Sequence, residues 1–272
     1  MAARLAVFGH PVGHSLSPGI HHAFAQQTGH AVEFELIDAP PAGFAEAVRD
    51  FGTHEGIGAN VTVPHKRAAL DLVDGASDRA RLAGAVNLLR FDSSAVLFGD
   101  NTDGHGLAAD LTTNLGLALA GARILIVGAG GACRGIIGPL LAHNPAEIVI
   151  ANRTPAHAHE VAARFTALGR VGVAPLAAPG SGFDLVINAT SASMDGAVPA
   201  LPTSVFADGA TAYDLFYTER GATAFTLWAA QHGAACVADG WGMLVEQAVE
   251  CWRVWFGLTP DPKPLLRRDA QM

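Results

Sequence analysis

Short apolar runs alternate with helix-like segments from one end of the chain to the other. Runs at 5–8, 32–37, 59–63 and 85–89 predict strands, and helical spacing recurs over 18–28, 42–51 and 65–73. Ser17 is the expected N-cap of the first helix, with Pro18 at its first position. A long helical pattern begins at Asp103 and runs through Leu117. Beyond it, runs at 123–127, 147–151, 184–188 and 212–215 predict further strands, with a helix over 132–142. The last long helix is expected from Gly240 to Phe256, apolar at Leu244, Ala248, Cys251 and Trp255. This alternation predicts an α/β protein with largely parallel sheets, and a boundary between two domains near Asp103.

The run at 123–127 ends in Gly128-Ala129-Gly130-Gly131-Ala132-Cys133. A strand that runs through clustered glycines into a helix suits a dinucleotide: the first glycine permits the turn and the second lets the backbone approach a pyrophosphate. The N–H groups and dipole of the helix start meet the negative charge. The next apolar run ends in Asn152-Arg153-Thr154, where an acid would hold the ribose 2′-hydroxyl of NAD. No acid stands there. Arg153 offers a planar fork of donors and Thr154 a hydroxyl, a pairing that suits a 2′-phosphate and therefore NADP.

Composition narrows the class. At 272 residues, with 50% hydrophobic and 15% charged, the chain can bury one large or two modest cores. A net charge of −8 with scattered Lys and Arg argues against nucleic acid. Three cysteines with no CxxC pair imply a reducing, cytoplasmic setting rather than a disulfide framework. No metal site is expected, since His157 and His159, like His21 and His22, diverge on a helix. The apolar run at 5–8 is too short for a signal segment, so neither export nor a membrane is expected.

Three polar clusters at strand ends in the first half could carry chemistry. Ser15 and Ser17 flank one apolar residue at a helix start and could bind a carboxylate; capping alone would explain Ser17 but not Ser15. Asn60 and Thr62 share one face of an apolar strand, with Lys66 just past Pro64, and polar groups buried there would need partners. Asn87 and then Asp100-Asn101-Thr102-Asp103 precede a helix, where capping is the plainer reading.

Together the clusters are specific. Ser15-x-Ser17-Pro18, Asn60-Val61-Thr62-Val63-Pro64-x-Lys66, Ala83-Gly84-Ala85-Val86-Asn87 and Gly99-Asp100-Asn101-Thr102-Asp103-Gly104 occur in the order seen in shikimate dehydrogenases, which the chain closely resembles. The resemblance continues through Asn188-Ala189-Thr190-Ser191, Tyr213-Asp214-Leu215-Phe216-Tyr217 and the stretch from Ala238 to Gln247. It implies a substrate domain at 1–103 completed by 241–272, and a Rossmann-like NADP-binding domain at 104–240. It further implies reversible, NADP-linked reduction of 3-dehydroshikimate to shikimate, by a monomer or homodimer acting on a small-molecule substrate. On matching positions, Lys66 and Asp103 look like the catalytic pair. Ser15, Ser17, Thr62 and Tyr217 look like carboxylate-side contacts, with Asn60 among the substrate-binding positions. Asn87, Asp103 and Gln247 look like partners of ring hydroxyls. The glycine turn Gly128–Ala132, Asn152, Arg153, Thr154, His157, Thr190, Leu215 and Gly240 look like cofactor positions.

Four departures from the family pattern stand out: His157 where a second phosphate-clamping Arg is frequent, Leu88 where Thr is common, Leu215 for Met, and Cys133 for Ser or Ala. Competing readings are an NAD-using quinate/shikimate paralogue, against which Arg153 speaks, and a non-catalytic nucleotide sensor, against which Lys66 and Asp103 speak. A serine hydrolase would need a GxSxG elbow that the chain lacks.

Overall fold

A computed structural model describes residues 2–92, 97–218 and 221–267. The chain divides into two compact units, Met1–Gly106 with Leu244–Met272, and Leu107–Met243.

The first unit contains β1 (Ala3–Gly9), α1 (Ser17–Thr28), β2 (Val32–Asp38), α2 (Phe44–Thr53), β3 (Gly56–Val61), α3 (Lys66–Leu72), β4 (Gly75–Ala76), α4 (Asp78–Ala83), β5 (Leu88–Phe91), β6 (Leu97–Asp100) and the start of α5 (Asp103–Ala109). Its strands lie in the order β2-β1-β3-β5-β6-β4. Leu5, Ala6, Val7 and Phe8 are all buried, so β1 is covered on both faces and shows a continuous apolar run instead of alternation. Phe8 meets Phe44 and Phe51 edge-to-face at 6.0 and 5.8 Å, each pair adding about 0.5–1.5 kcal/mol beyond its buried area. β1 pairs in parallel with both β2 and β3, so the chain reverses its direction of travel across the sheet at the β1/β3 boundary. Open α/β sheets place ligands beyond the carboxyl ends of strands at such a point.

The sheet of this unit is largely parallel as expected, with β1 pairing in parallel with β2 and β3 and β4 with β6, but β5 runs antiparallel to both β3 and β6. Only residues 92–96 separate β5 from β6, too few for a parallel crossover. The expected strand over 85–89 begins three residues later, leaving Asn87 just ahead of β5. Ser17 is the first residue of α1 and Leu16 its N-cap, so Ser17 does not cap; its own N–H instead donates to Ser15 Oγ at 3.3 Å.

In the second unit α5 passes into a π-helical turn at Asp110–Asn114. Then follow β7 (Arg123–Val127), α6 (Gly131–Leu141), β8 (Glu147–Asn152), α7 (Pro155–Ala163), β9 (Val171–Pro175), β10 (Phe183–Asn188), β11 (Phe206–Asp214), α8 (Ala224–Gln231) and β12 (Cys236–Asp239). α9 (Trp241–Phe256) begins here, and its residues from Leu244 onward, with α10 (Lys263–Leu266), belong to the first unit. The helical pattern expected through Leu117 stops short at the π turn. All strands are parallel in the order β12-β11-β10-β7-β8-β9, which puts the switch point between β7 and β10. Ile124 to Val127 are fully buried, as the core strand of a two-faced sheet requires. Among the described residues no helix is long and apolar enough to cross a membrane.

Candidate active site

In the first unit the polar clusters converge. Lys66 opens α3 and Asp103 opens α5, and Lys66 Nζ donates to Asp103 Oδ2 at 2.5 Å; their side chains are 15% and 6% exposed, so this ion pair is largely shielded from water. Asn87 Nδ2 lies 2.8 Å from Asp103 Oδ1 and 2.9 Å from Thr102 Oγ1, while Asn87 Oδ1 accepts from the Thr102 N–H at 2.7 Å. Gln247, one turn along α9 from Met243, brings Oε1 to 3.2 Å from Thr102 Oγ1 and 3.4 Å from Asn87 Nδ2. Lys66, Asn87, Asp103 and Gln247 thus share one cluster. Thr102, absent from the expected site residues, sits at its centre; its place inside the Gly99-to-Gly104 motif was the available signal.

The remaining expected substrate residues hold other positions. Ser15 Oγ donates to Ser17 Oγ at 3.2 Å. Thr62 lies just past β3, half-buried, its N–H bonded to Phe8 O at the carboxyl end of β1. Asn60 is buried, with Oδ1 3.0 Å from His21 Nε2 and Nδ2 3.2 Å from Cys251 Sγ. Tyr217 is carried by the second unit, its ring against Phe216 and Trp241.

A charged cluster supports the segment that presents Asp103. Arg79 binds both oxygens of Asp100, at 2.7 and 2.5 Å, and reaches Glu250 at 2.6 Å. Ser77 Oγ also donates to Asp100. Burial alone would raise the Asp100 carboxyl, but Arg79 and Ser77 hold it below its usual value. Glu250 is depressed likewise: burial opposes ionisation, and Arg253 and Arg79 overcome it. With Asp100 anchored, its Oδ1 accepts the Asn101 N–H at 2.7 Å and fixes the turn into Thr102 and Asp103.

The second unit gathers the expected cofactor residues at the carboxyl ends of its strands. Gly128 follows β7 with φ +107°, and a Cβ there would meet Ala189 O and Thr190 Cγ2 at 3.0 Å, so the loops after β7 and β10 touch at the switch point. Gly130 is the opposite case: a Cβ would meet no protein atom within 4 Å, and no side chain caps α6 behind it. The protein itself therefore does not require glycine at 130, whereas a phosphate lying against that backbone would. Arg153, Thr154 and His157 are exposed at the end of β8 and the first turn of α7, and Asn152 Nδ2 donates to Thr154 O. Thr190 donates its N–H and hydroxyl to Asn188 Oδ1. Leu215 N–H bonds Asn188 O, and Gly240 is obligatory because a Cβ would lie 2.3 Å from Leu215 O.

The segment carrying Leu215 rests on a second group that sequence reading missed. Asp214 is fully buried and accepts from Ser193 and Thr223 hydroxyls at 2.6 Å, Asn188 Nδ2 at 3.0 Å and the Phe216 N–H at 3.1 Å. Burial raises its carboxyl, and these donors partly offset the rise. Asp110 is raised chiefly by burial as well, and accepts from the Tyr213 hydroxyl at 2.6 Å.

Residues 7–89 match the family described as shikimate dehydrogenase substrate binding domain, and residues 110–195 match shikimate / quinate 5-dehydrogenase. A protein of Nitrosospira multiformis named shikimate dehydrogenase (NADP(+)) is 50% identical over 98% of this chain and 96% of its own length. Among solved structures, the Ael1 enzyme of Pseudomonas putida is 40% identical, with a TM-score of 0.88 over 100% of this chain and 99% of that one. Shikimate 5-dehydrogenase of Thermus thermophilus, solved with NADP(H) and shikimate, is 33% identical with a TM-score of 0.84 over 98% of both chains. A chain matched along nearly its whole length, with a lysine–aspartate pair in one unit and a glycine turn on a parallel sheet in the other, belongs to the shikimate dehydrogenase family.

Proposed function

We propose that the protein catalyses the reversible, NADP-linked interconversion of shikimate and 3-dehydroshikimate. The observation that carries this reading is the largely shielded Lys66–Asp103 pair within the Asn87–Thr102–Gln247 cluster. An alcohol–ketone interconversion needs a proton moved at the reacting oxygen, and Lys66 Nζ is placed to give or take it. Asp103 Oδ2 holds the ammonium and Oδ1 is held by Asn87, so the donor's direction is set before substrate arrives. Asn87 and Gln247 can meet neighbouring ring hydroxyls, and Ser15, Ser17 and Thr62 supply hydroxyls for a carboxylate.

The second unit fits a dinucleotide, by the open backbone at Gly130 and the uncapped start of α6. When bound, NADP supplies the hydride acceptor or donor. Arg153 and Thr154 would hold the 2′-phosphate, with His157 beside them. The three free thiols fit a reducing cytoplasm, and a monomer or homodimer is the proposed assembly. Following reduced nicotinamide with shikimate and NADP⁺ tests the reading: sustained turnover is expected, and none in a folded protein would refute it.

A further inference from the structure

Behind the cluster lies a buried row of hydrogen bonds whose direction is fixed from Trp252 as far as Cys251. Trp252 Nε1–H, which can only donate, lies 2.9 Å from His21 Nδ1. His21 is fully buried, stacked on Phe34 at 4.6 Å, and burial lowers its pKa to about 4, so its ring is neutral at neutral pH. A neutral imidazole that accepts at Nδ1 carries its proton on Nε2 and donates it, here to Asn60 Oδ1 at 3.0 Å. Asn60 then presents Nδ2 to Cys251 Sγ at 3.2 Å. Burial pushes the Cys251 thiol up to about 12, so it keeps its proton, and Sγ lies 3.5 Å from both Gln247 Oε1 and Thr102 Oγ1. Gln247 Oε1 faces inward, where Thr102, Asn87 and Cys251 all reach it, and Nε2 spends one N–H on Leu244 O at 2.9 Å.

We propose that Trp252, His21, Asn60 and Cys251 form a one-way hydrogen-bond relay that fixes the Gln247 carboxamide with its remaining N–H as the group offered to the substrate. Gln247 then donates to a ring oxygen and does not accept from one. His21 and Cys251 are positioning residues acting through Gln247. This rests on the proposed reading of Gln247 as a substrate contact.

A double-mutant cycle tests it on the full chain, with shikimate KM and kcat measured in saturating NADP⁺. Cys251→Ala should raise the shikimate KM by about 3–10-fold, the scale of one net hydrogen bond, with kcat changed by less than about 2-fold. Cys251→Ser keeps a donor and should return KM to within about 2-fold of wild type. In a Gln247→Ala background the Cys251→Ala change should add less than about 1.5-fold, because its target is gone. An unchanged KM in Cys251→Ala, an undiminished effect in the Gln247→Ala background, or a serine variant as impaired as the alanine one would each overturn the relay. Wild-type protein inactive with shikimate would instead overturn the proposed function. The relay is then read from histidine ¹⁵N resonances at pH 7, with His21 identified by its loss in His21→Gln: a neutral ring protonated on Nε2 supports it, and one protonated on Nδ1 refutes it.

Discussion

The roles proposed for Lys66 and Arg153 are separate, and substitution should divide them. Lys66→Met removes the only ammonium on Asp103 among the described residues, so kcat should fall by about 10²–10⁴ while the NADP⁺ dissociation constant holds. Asp103→Asn should lower kcat too, and the double variant should be little worse than the worse single one, since a hydrogen-bonded pair acts as a unit. Losses that multiply in steady-state kinetics would break the pair. Arg153→Ala should cost about 1.5–3 kcal/mol of NADP⁺ binding, the range for a charge-assisted contact, and leave NAD⁺ binding nearly unchanged; titration calorimetry with both nucleotides decides it. These residues were legible because they lie in short motifs at strand ends. Thr102, His21 and Cys251 were not, since a hydroxyl, an imidazole and a thiol on apolar helix faces or in a capping turn look like ordinary structure. Their meaning comes only from what folding brings beside them, as with Cys251 beside Asn60 across 191 positions of chain.

At the scale of elements, α1 and α9 are joined by the His21–Trp252 bond, and this joint should respond to acid. The His21 pKa is lowered by burial to about 4 from an unfolded value of 6.5. Unfolding therefore takes up a proton between those values. The stabilisation is fully present above pH 6.5, declines as pH falls and is gone below about 4. Its full size is about 3 kcal/mol, because a tenfold difference in proton affinity between folded and unfolded chains is worth about 1.4 kcal/mol. Urea unfolding at pH 7 and pH 4.5 should show a smaller acid loss in His21→Gln than in wild type, and equal losses would assign the sensitivity elsewhere. Burial lowers His65 also, so some acid sensitivity should remain in the variant. The same scale shows where sequence pattern falls short. β7 and β1 stood out because strands buried on both faces form continuous apolar runs. β12 escaped notice because, as an edge strand, it leaves Cys236 and Val237 exposed, and β6 because it is short and ends in the polar Asp100. The antiparallel turn of β5 and β6 followed from loop length, which a count of apolar runs ignores.

For the whole molecule, the proposed catalytic pair Lys66–Asp103 lies in the first unit, and the glycine turn and Arg153, proposed to hold the cofactor, lie in the second. The chemistry of both is needed at once, since a proton without a hydride acceptor, or the reverse, turns nothing over. The most direct measurement is a four-way assay of wild-type protein, with shikimate or quinate and NADP⁺ or NAD⁺, following reduced nicotinamide, with Lys66→Met alongside. Shikimate with NADP⁺ should give the highest kcat/KM of the four, and Lys66→Met should abolish nearly all of it. A higher kcat/KM with NAD⁺ or with quinate, or near wild-type turnover in Lys66→Met, would contradict the proposed function.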